Sequence, residues 1–279
     1  DKTEDLCAWF NQHPKLTARI NTILIDIPQC LTLLKEQGWD VSQDSNYKDI
    51  IYINSHRGSL EKSDAVIKGY ITFMDKASML VARLVNPQPG ERVLDCCAAP
   101  GGKSMYMAAL MDNTGSLMSC DIHEHKITLM ESNAQRLGIS IVQTKVQDAT
   151  ELPSAWKSYF DRVLVDVPCS GLGILQKKLD MRWRKDESTL SELPPLQLAI
   201  LERAAMTVKE KGYLVYSTCT LNYKENEDVV EAFLQKHKEF SIVPVGADFP
   251  LKSNNGMITT YPPTDDMDGF FMVKMQRIS

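Results

Sequence analysis

The chain of 279 residues carries 31 lysines and arginines against 36 aspartates and glutamates, and its net charge of −5 does not by itself indicate a nucleic-acid-binding protein. It contains no apolar run of the roughly 18 residues that a membrane span needs, and its charged first residues do not resemble a signal peptide. Its seven cysteines are odd in number and none has C-x-x-C spacing. This disfavours a metal site or a disulfide framework, so we expect a cytoplasmic protein with no metal and no membrane partner.

The first 85 residues mix short helical and extended patterns. A helix is predicted over 28–38, and extended segments are predicted over 17–23 and 49–54. We therefore expect a small α+β domain over 1–85, followed by a larger domain over 86–279.

From about residue 91, strand-like segments alternate with helical ones. Strands are predicted over 92–96, 116–121, 139–146, 160–168 and 213–220, with a final pair over 240–245 and 269–275. Helices are predicted over 103–111, 125–138, 194–212 and 225–237, the third opening with proline and ending at Gly212. This alternation predicts an α/β fold with a mostly parallel sheet covered on both faces.

The first of these strands leads into the glycine-rich segment DCCAAPGGKSM, residues 95–105. Its end resembles a Walker A phosphate-binding loop, which would need a glycine at position 97, where Cys97 stands. An NTPase is therefore disfavoured. The strand–loop–helix order still suits a nucleotide-like ligand at the N-terminus of the helix.

Two acids follow the next two strands. Asp121 is suited to hydrogen bonding with ribose hydroxyls, and Asp148 can accept a hydrogen bond from the exocyclic amine of adenine. Ribose and adenine without a triphosphate loop fit S-adenosylmethionine (SAM) better than ATP. For either acid alone, capping of the following segment explains the residue equally well.

The motifs DVPCSG (166–171) and YSTCT (216–220) end the fourth and fifth strands, which we expect to be neighbours. Cys169 and Cys219 would then face one pocket, unless both are inert buried thiols. A thiol beside SAM suits cytosine methylation, because a thiolate that adds to carbon 6 of the ring makes carbon 5 nucleophilic. Lys103 would favour the thiolate, and Asp166 is suited to donate to the ring.

The densest basic segment lies at 176–185 and has a net charge of +4. The alternative to RNA contact is a solvated loop, although an aromatic residue within the cluster favours RNA. The candidate RNA-binding residues are Lys177, Lys178, Arg182, Trp183, Arg184 and Lys185.

Together, LDCCAAPGGKS, the two acids, DVPCSG and STCT resemble the Nop2/Sun family of RNA 5-methylcytosine methyltransferases. GYITFMDKAS (69–78) resembles the family segment that precedes the catalytic domain, although Met74 stands where glutamine is usual. DGFFMVKM (268–275) resembles the closing strand of the family.

The resemblance implies a Rossmann-like, class I SAM-dependent methyltransferase, with a seven-stranded sheet whose last strand is antiparallel. It implies that Cys219 is the nucleophile, that Cys169 assists product release, and that Asp166 lies near the methyl group and the target base. Asp121 would bind the ribose and Asp148 the adenine. The methionine part of SAM would be held by Cys97, Ala98, Ala99, Pro100, Gly101, Gly102 and Lys103.

The implied function is methylation of carbon 5 of a cytosine in 16S rRNA through a covalent cysteine–C6 adduct. We expect a monomer that acts on naked or partly assembled small-subunit RNA. We also expect that an upstream RNA-binding domain resembling the antitermination factor NusB is missing from this chain. The alternatives are a tRNA or other-rRNA methyltransferase of the same family, or an inactive SAM- and RNA-binding assembly factor. The presence of both cysteines, Asp166 and Lys103 argues against the inactive factor.

Overall fold

The computed structural model describes residues 2–183, 187–246 and 248–278. The strands are β1 (Leu16–Ile20), β2 (Asp40–Gln43), β3 (Ile50–Ser55), β4 (Ile71–Phe73), β5 (Arg92–Asp95), β6 (Ser116–Asp121), β7 (Val142–Val146), β8 (Phe160–Asp166), β9 (Val208–Thr218), β10 (Phe240–Ile242), β11 (Met257–Thr259) and β12 (Phe271–Arg277). The helices are α1 (Lys2–Phe10), α2 (Ile27–Glu36), α3 (Asp64–Ile67), α4 (Lys76–Val85), α5 (Gly102–Leu110), α6 (Glu124–Arg136), α7 (Glu187–Ala205), α8 (Glu227–Lys236) and α9 (Pro262–Asp265). Within these ranges the helices are too short or too polar to cross a bilayer.

The first strands form a small antiparallel sheet in the order β2-β3-β1-β4. Apolar residues of β1 and β3 pack with α2 in a core of their own, which includes Ile20, Leu34 and Ile51. The small α+β unit predicted for the N-terminal part of the chain is therefore present as a separate sheet with its own helices.

The larger sheet has the strand order β10-β12-β9-β8-β5-β6-β7. Strands β5 to β9 pair in parallel, and β12 pairs antiparallel with both β9 and β10. This confirms the predicted mostly parallel sheet with an antiparallel last strand. The structure adds an eighth strand, β11, which pairs with β12.

Helices cover both faces of this sheet. Along β8, Val163 and Val165 pack in the core formed with α7 and α8, whereas Leu164 between them packs in the core formed with α4, α5 and α6. Successive side chains of a strand point to opposite faces, so this alternation is what a sheet buried on both faces requires.

The helix predicted over 194–212 is displaced towards the N-terminus. Helix α7 begins at Glu187, so Pro194 and Pro195 lie inside it rather than at its start. It ends at Ala205, because both the backbone N–H and the hydroxyl of Thr207 donate to the carbonyl of Ala204. Strand β9 accordingly begins at Val208, within the segment predicted as helix.

Helix α4 packs with the large sheet and also contacts the small one, since Ile50 of β3 lies in the same core. Its buried residues, among them Leu80 and Val81, share a core with α5 and with Leu164 of the large sheet. The domain boundary after residue 85 stays a prediction.

A hydrogen-bonded ion pair joins the small sheet to the large one. Arg83 of α4 lies with its Nη2 atom 2.5 Å from Oδ1 of Asp49, and Tyr106 of α5 donates to the other oxygen at 2.7 Å. The guanidinium group also donates to the Tyr106 hydroxyl at 2.7 Å. Asp49 is 8% exposed, so each of these groups depends on the others for its polar contacts.

Replacing Asp49 by alanine should therefore destabilise the protein by about 3 kcal/mol, because the half-buried Arg83 and the buried Tyr106 both lose their partner. Urea-induced unfolding measures this change in the free energy of unfolding. The matched control is Asp64→Asn, which breaks the exposed Lys68–Asp64 ion pair. We expect no measurable change for the control, and equal losses in both variants would contradict the assignment.

Candidate active site

The carboxyl ends of the parallel strands meet at one edge of the large sheet, where ligands of open α/β sheets bind. A cavity of about 400 Å³ opens there. Seven of the residues predicted from the sequence line it: Cys97, Ala99, Asp121, Asp148, Asp166, Cys169 and Cys219. The structure thus brings together residues that lie up to 122 positions apart in the chain.

The loop between β5 and α5 supplies one wall of this cavity. Gly101 caps α5 with a φ of 97°, a left-handed conformation that favours glycine, and its N–H donates to the carbonyl of Ala98 at 2.7 Å. The N–H of Ala98 in turn donates to the carbonyl of Cys120 in β6. Ala98, Pro100, Gly101 and Gly102 therefore form a tight turn that is fixed to the neighbouring strand.

Lys103, in the first turn of α5, pairs with Asp166 at the end of β8. The Nζ atom lies 2.7 Å from Oδ2 of Asp166, and Ser217 donates to Oδ1 of the same carboxylate at 2.7 Å. Burial alone would lower the pKa of Lys103, but the attraction of Asp166 outweighs it and raises the pKa above its usual value. The site therefore holds a buried ammonium group that is charged at neutral pH.

A second carboxyl group lies behind this ion pair. Asp95 is 1% exposed, and its Oδ2 accepts a hydrogen bond of 2.6 Å from Ser104. Burial, followed by repulsion from Asp166, raises the pKa of Asp95 to about 7. Sequence reasoning missed this residue, although its position directly after a buried strand is a signal that could have identified it.

The two predicted cysteines are in contact. The Sγ atoms of Cys169 and Cys219 are 3.2 Å apart, and the backbone N–H of Cys219 donates to the sulfur of Cys169 at 3.3 Å. The hydrogen bond to Cys169 and burial raise the pKa of Cys219 well above its usual value, although Lys103 opposes the shift. Two thiolates at this distance would repel each other, so the pair carries at most one negative charge.

The two acids predicted to hold a nucleoside act as caps and also line the cavity. Oδ1 of Asp121 accepts the N–H of His123 at 3.0 Å, and Oδ1 of Asp148 accepts the N–H of Thr150 at 2.8 Å. These bonds use one oxygen of each carboxylate and leave the other for a ligand. The capping interpretation and the ligand-binding interpretation are therefore compatible at both positions.

The chain matches the model of the family described as "16S rRNA methyltransferase RsmB/F" over residues 82–276, and a ferredoxin-like domain of the same family over residues 1–58. It belongs to the RsmB/F family of 16S rRNA methyltransferases. This confirms the resemblance to RNA cytosine methyltransferases that the motifs indicate.

Curated relatives agree with the family assignment. The chain is 36% identical over 283 residues to a probable ribosomal RNA small subunit methyltransferase B of Bacillus subtilis, covering 99% of this chain and 63% of the relative. It is 35% identical over 229 residues to a human 28S rRNA (cytosine(4447)-C(5))-methyltransferase, covering 76% of this chain and 28% of the relative. The chain thus spans somewhat less than two thirds of the bacterial relative's length.

Solved structures share the fold. The structure of PH0851 superposes with a TM-score of 0.92 at 32% identity, over 99% of this chain and 62% of that one. The structure of NSun6 from Pyrococcus horikoshii with SFG superposes with a TM-score of 0.90 at 20% identity, over 100% of this chain and 94% of that one, and shows the fold alone.

The basic segment of this RsmB/F-family chain is largely engaged within the protein. Lys177 forms ion pairs with Asp75 at 2.5 Å and with Asp268 at 2.9 Å. Arg182 donates to Asn11 and to two backbone carbonyls. Lys178 and Trp183 are exposed, the latter by 88%, whereas Arg184 and Lys185 lie outside the described residues. The structure therefore leaves RNA contact by this segment a prediction.

Replacing Cys169 by alanine should lower the pKa of Cys219, because the hydrogen bond that raises it most is removed while Lys103 remains. At a pH below the pKa of Cys219, lowering that pKa increases the fraction of Cys219 that is present as the thiolate. The pH at which alkylation of Cys219 by iodoacetamide is half-maximal should therefore shift downward, as followed by mass spectrometry of the Cys219 peptide.

The exposed Cys7 serves as the internal reference for reagent activity in the same samples. The pH midpoint is compared rather than the absolute rate, because the smaller side chain also changes access. Identical midpoints in the two proteins would contradict the assigned contact.

Proposed function

We propose that this chain is the catalytic part of a SAM-dependent methyltransferase that acts on carbon 5 of a cytosine in 16S rRNA. The observation that carries the proposal is the contact between the Cys169 and Cys219 sulfurs, beside the Lys103–Asp166 ion pair. This arrangement suits addition to a pyrimidine ring, and it occurs in a chain of an rRNA methyltransferase family.

The residues of the cavity fit the parts of SAM. The second oxygens of Asp121 and Asp148 can accept from ribose hydroxyls and from the adenine amine, and the turn formed by residues 97–103 can hold the methionine part. When bound, SAM supplies an electrophilic methyl group. The acidic lining suits the positive charge that this cofactor carries on its sulfur.

Cys219 is proposed as the nucleophile, as the family resemblance implies. Its thiolate would form a bond to carbon 6 of the cytosine, which makes carbon 5 nucleophilic. Carbon 5 would then take the methyl group that SAM supplies, while the bond between that methyl group and the SAM sulfur breaks and S-adenosylhomocysteine leaves. Loss of the carbon 5 proton to a base then allows the bond between sulfur and carbon 6 to break, which restores the thiolate. Cys169, in contact with the departing sulfur, is positioned to assist this last step.

Asp166 and Lys103 are proposed to interact with the cytosine ring and with Cys219 during these steps. The carboxylate can accept a hydrogen bond from the exocyclic amine of cytosine. Lys103 keeps a positive charge next to that carboxylate and next to the thiol of Cys219. The lysine thereby favours negative charge at both groups when addition begins.

The RNA target is proposed as 16S rRNA because the family and the bacterial relatives carry that description. The human relative described as a 28S rRNA methyltransferase makes another rRNA site the competing possibility. The target base must leave its stack to reach a cavity at the sheet edge. Action on naked or partly assembled RNA as a monomer in the cytoplasm remains a prediction.

SAM should raise the melting temperature of the protein, and ATP should not. A ligand present at a hundredfold excess over its dissociation constant stabilises the folded state by about 2.7 kcal/mol. Asp121→Asn and Asp148→Asn should each weaken SAM binding about tenfold, because one ligand acceptor is lost while the capping oxygen is kept. Calorimetric titration measures the affinities.

Asp64→Asn, on the surface of the small unit, is the control and should bind SAM like the natural protein. Stabilisation by ATP but not by SAM would refute a methyltransferase. Unchanged affinity in both aspartate variants would refute the assigned nucleoside site.

Cys169→Ala with SAM and a 16S rRNA fragment should give an RNA–protein adduct that survives a denaturing gel, because Cys219 attacks while release is impaired. Cys219→Ala should give no adduct, since the nucleophile is removed. An adduct that appears only with Cys219→Ala would reverse the roles of the two cysteines.

The natural protein serves as the reference for turnover in the same reaction. It should transfer the methyl group of radiolabelled SAM to the RNA without accumulating an adduct. Transfer to 23S rRNA or tRNA fragments but not to 16S rRNA would refute the proposed target and leave the chemistry in place.

A further inference from the structure

The loop that carries Cys169 is fixed on both sides of this residue. The backbone N–H of Ser170 donates to Oε2 of Glu225 at 2.8 Å. The side-chain amide of Gln197 donates both to the carbonyl of Pro168 and to the same Glu225 oxygen, each at 3.0 Å. One glutamate–glutamine pair therefore holds the two neighbours of Cys169.

The loop that carries Cys219 is fixed in the same manner by the next residue of the chain. The side-chain amide of Asn226 donates to the carbonyl of Thr220 at 2.9 Å, and its Oδ1 accepts the hydroxyl of Thr218 at 2.6 Å. The hydroxyls of Ser170 and Thr220 lie 2.7 Å apart and link the two loops directly. Asn226 thus binds both neighbours of Cys219.

The polar side chains that hold the two loops are buried, and burial costs them their hydrogen bonds with water. Glu225 and Gln197 are 0% exposed and Asn226 is 1% exposed. A third hydrogen bond reaches Glu225 from the amide of Asn222 at 2.9 Å. A buried carboxylate is tolerated when its oxygens are hydrogen-bonded, whereas an apolar side chain would fill such a space without that requirement. The presence of Glu225 between the two loops therefore indicates that this residue positions them.

We infer that Glu225 and Asn226 are positioning residues that set the distance between the thiols of Cys169 and Cys219, with Gln197 completing the link. A cysteine side chain has a single torsion that moves its sulfur, so fixing the backbone on both sides largely fixes the sulfur. None of the three lines the cavity of the catalytic cysteines, so they act through the two loops. The catalytic consequence, but not the geometric one, rests on the proposed function.

The test measures the effective concentration of the two thiols in the full chain, without RNA or SAM. The protein is equilibrated with reduced and oxidised glutathione, and the Cys169–Cys219 disulfide is quantified by mass spectrometry. Glutathione disulfide takes up two electrons and two protons as the two thiols form one S–S bond. Glu225→Gln and Gln197→Met should each lower the effective concentration about tenfold, because the first removes the charge that strengthens the hydrogen bonds to Glu225 and the second removes the hydrogen bonds of the Gln197 amide.

Asn21→Ala is the matched control for Gln197→Met. Asn21 is also 0% exposed, and its amide also donates to two carbonyls, those of Gly69 and Leu137, but it lies far from the cysteines in the chain and joins other elements. The effective thiol concentration of Asn21→Ala should equal that of the natural protein, even if its melting temperature falls as much as that of Gln197→Met. If Glu225→Gln fails to fold, the effective thiol concentration of Gln197→Met tests the inference.

Unchanged effective concentrations in both variants would overturn the inference, and so would an equal decrease in the Asn21→Ala protein. Methyl transfer provides the second readout. The two variants should lower kcat about tenfold or more while the KM for SAM stays near its natural value. A natural protein that transfers no methyl group to any RNA would refute the proposed function but would leave the thiol measurement valid.

Discussion

The pairing of β8 with β9 is the constraint on which the site depends. In this parallel pair Asp166 lies beside Ser217, and the two cysteine loops leave the sheet immediately afterwards. Near the start of the pair Phe160 is opposite Val208, whereas Arg162 is opposite Tyr213, so an irregularity in β9 shifts the register. This irregular part of β9 includes Lys211, whose backbone has a left-handed φ of 63°. Without this shift Asp166 would face residues earlier in β9, and Cys169 would not meet Cys219.

Electrostatics give the same small region a second property, which is that the pKa of Cys219 is raised and favours the neutral thiol. Lys103 attracts negative charge, but it is already paired with Asp166, and contact with Cys169 keeps the pKa of Cys219 high. Burial, followed by repulsion from Asp166, also raises the pKa of Asp95 to about 7. The pKa of Cys219 therefore depends on its contact with Cys169, and that contact depends on the geometry of both loops.

The sequence was sufficient for the sheet and for seven of the residues that line the cavity, because apolar strands followed by polar loops determine which residues reach the sheet edge. It was insufficient where the outcome depends on contacts across the chain. The KEKG segment (209–212) continues a helical pattern, yet it lies within β9, Val208 is buried in the sheet and the helix ends at Ala205. Glu225 and Asn226 look like ordinary residues at the start of a helix until the two cysteine loops are seen to meet around them.

The role of the basic segment 176–185 also could not be predicted from the sequence, because it depends on contacts with distant parts of the chain. Its charges suggested contacts with phosphate, but Lys177 instead joins Asp75, at the start of α4, to Asp268, near the last strand. Met181, in the same segment, forms part of the cavity wall. The ion pairs thus fix a wall of the site between both sheets. Trp183, two residues beyond Met181, is 88% exposed, and its contact with RNA stays a prediction.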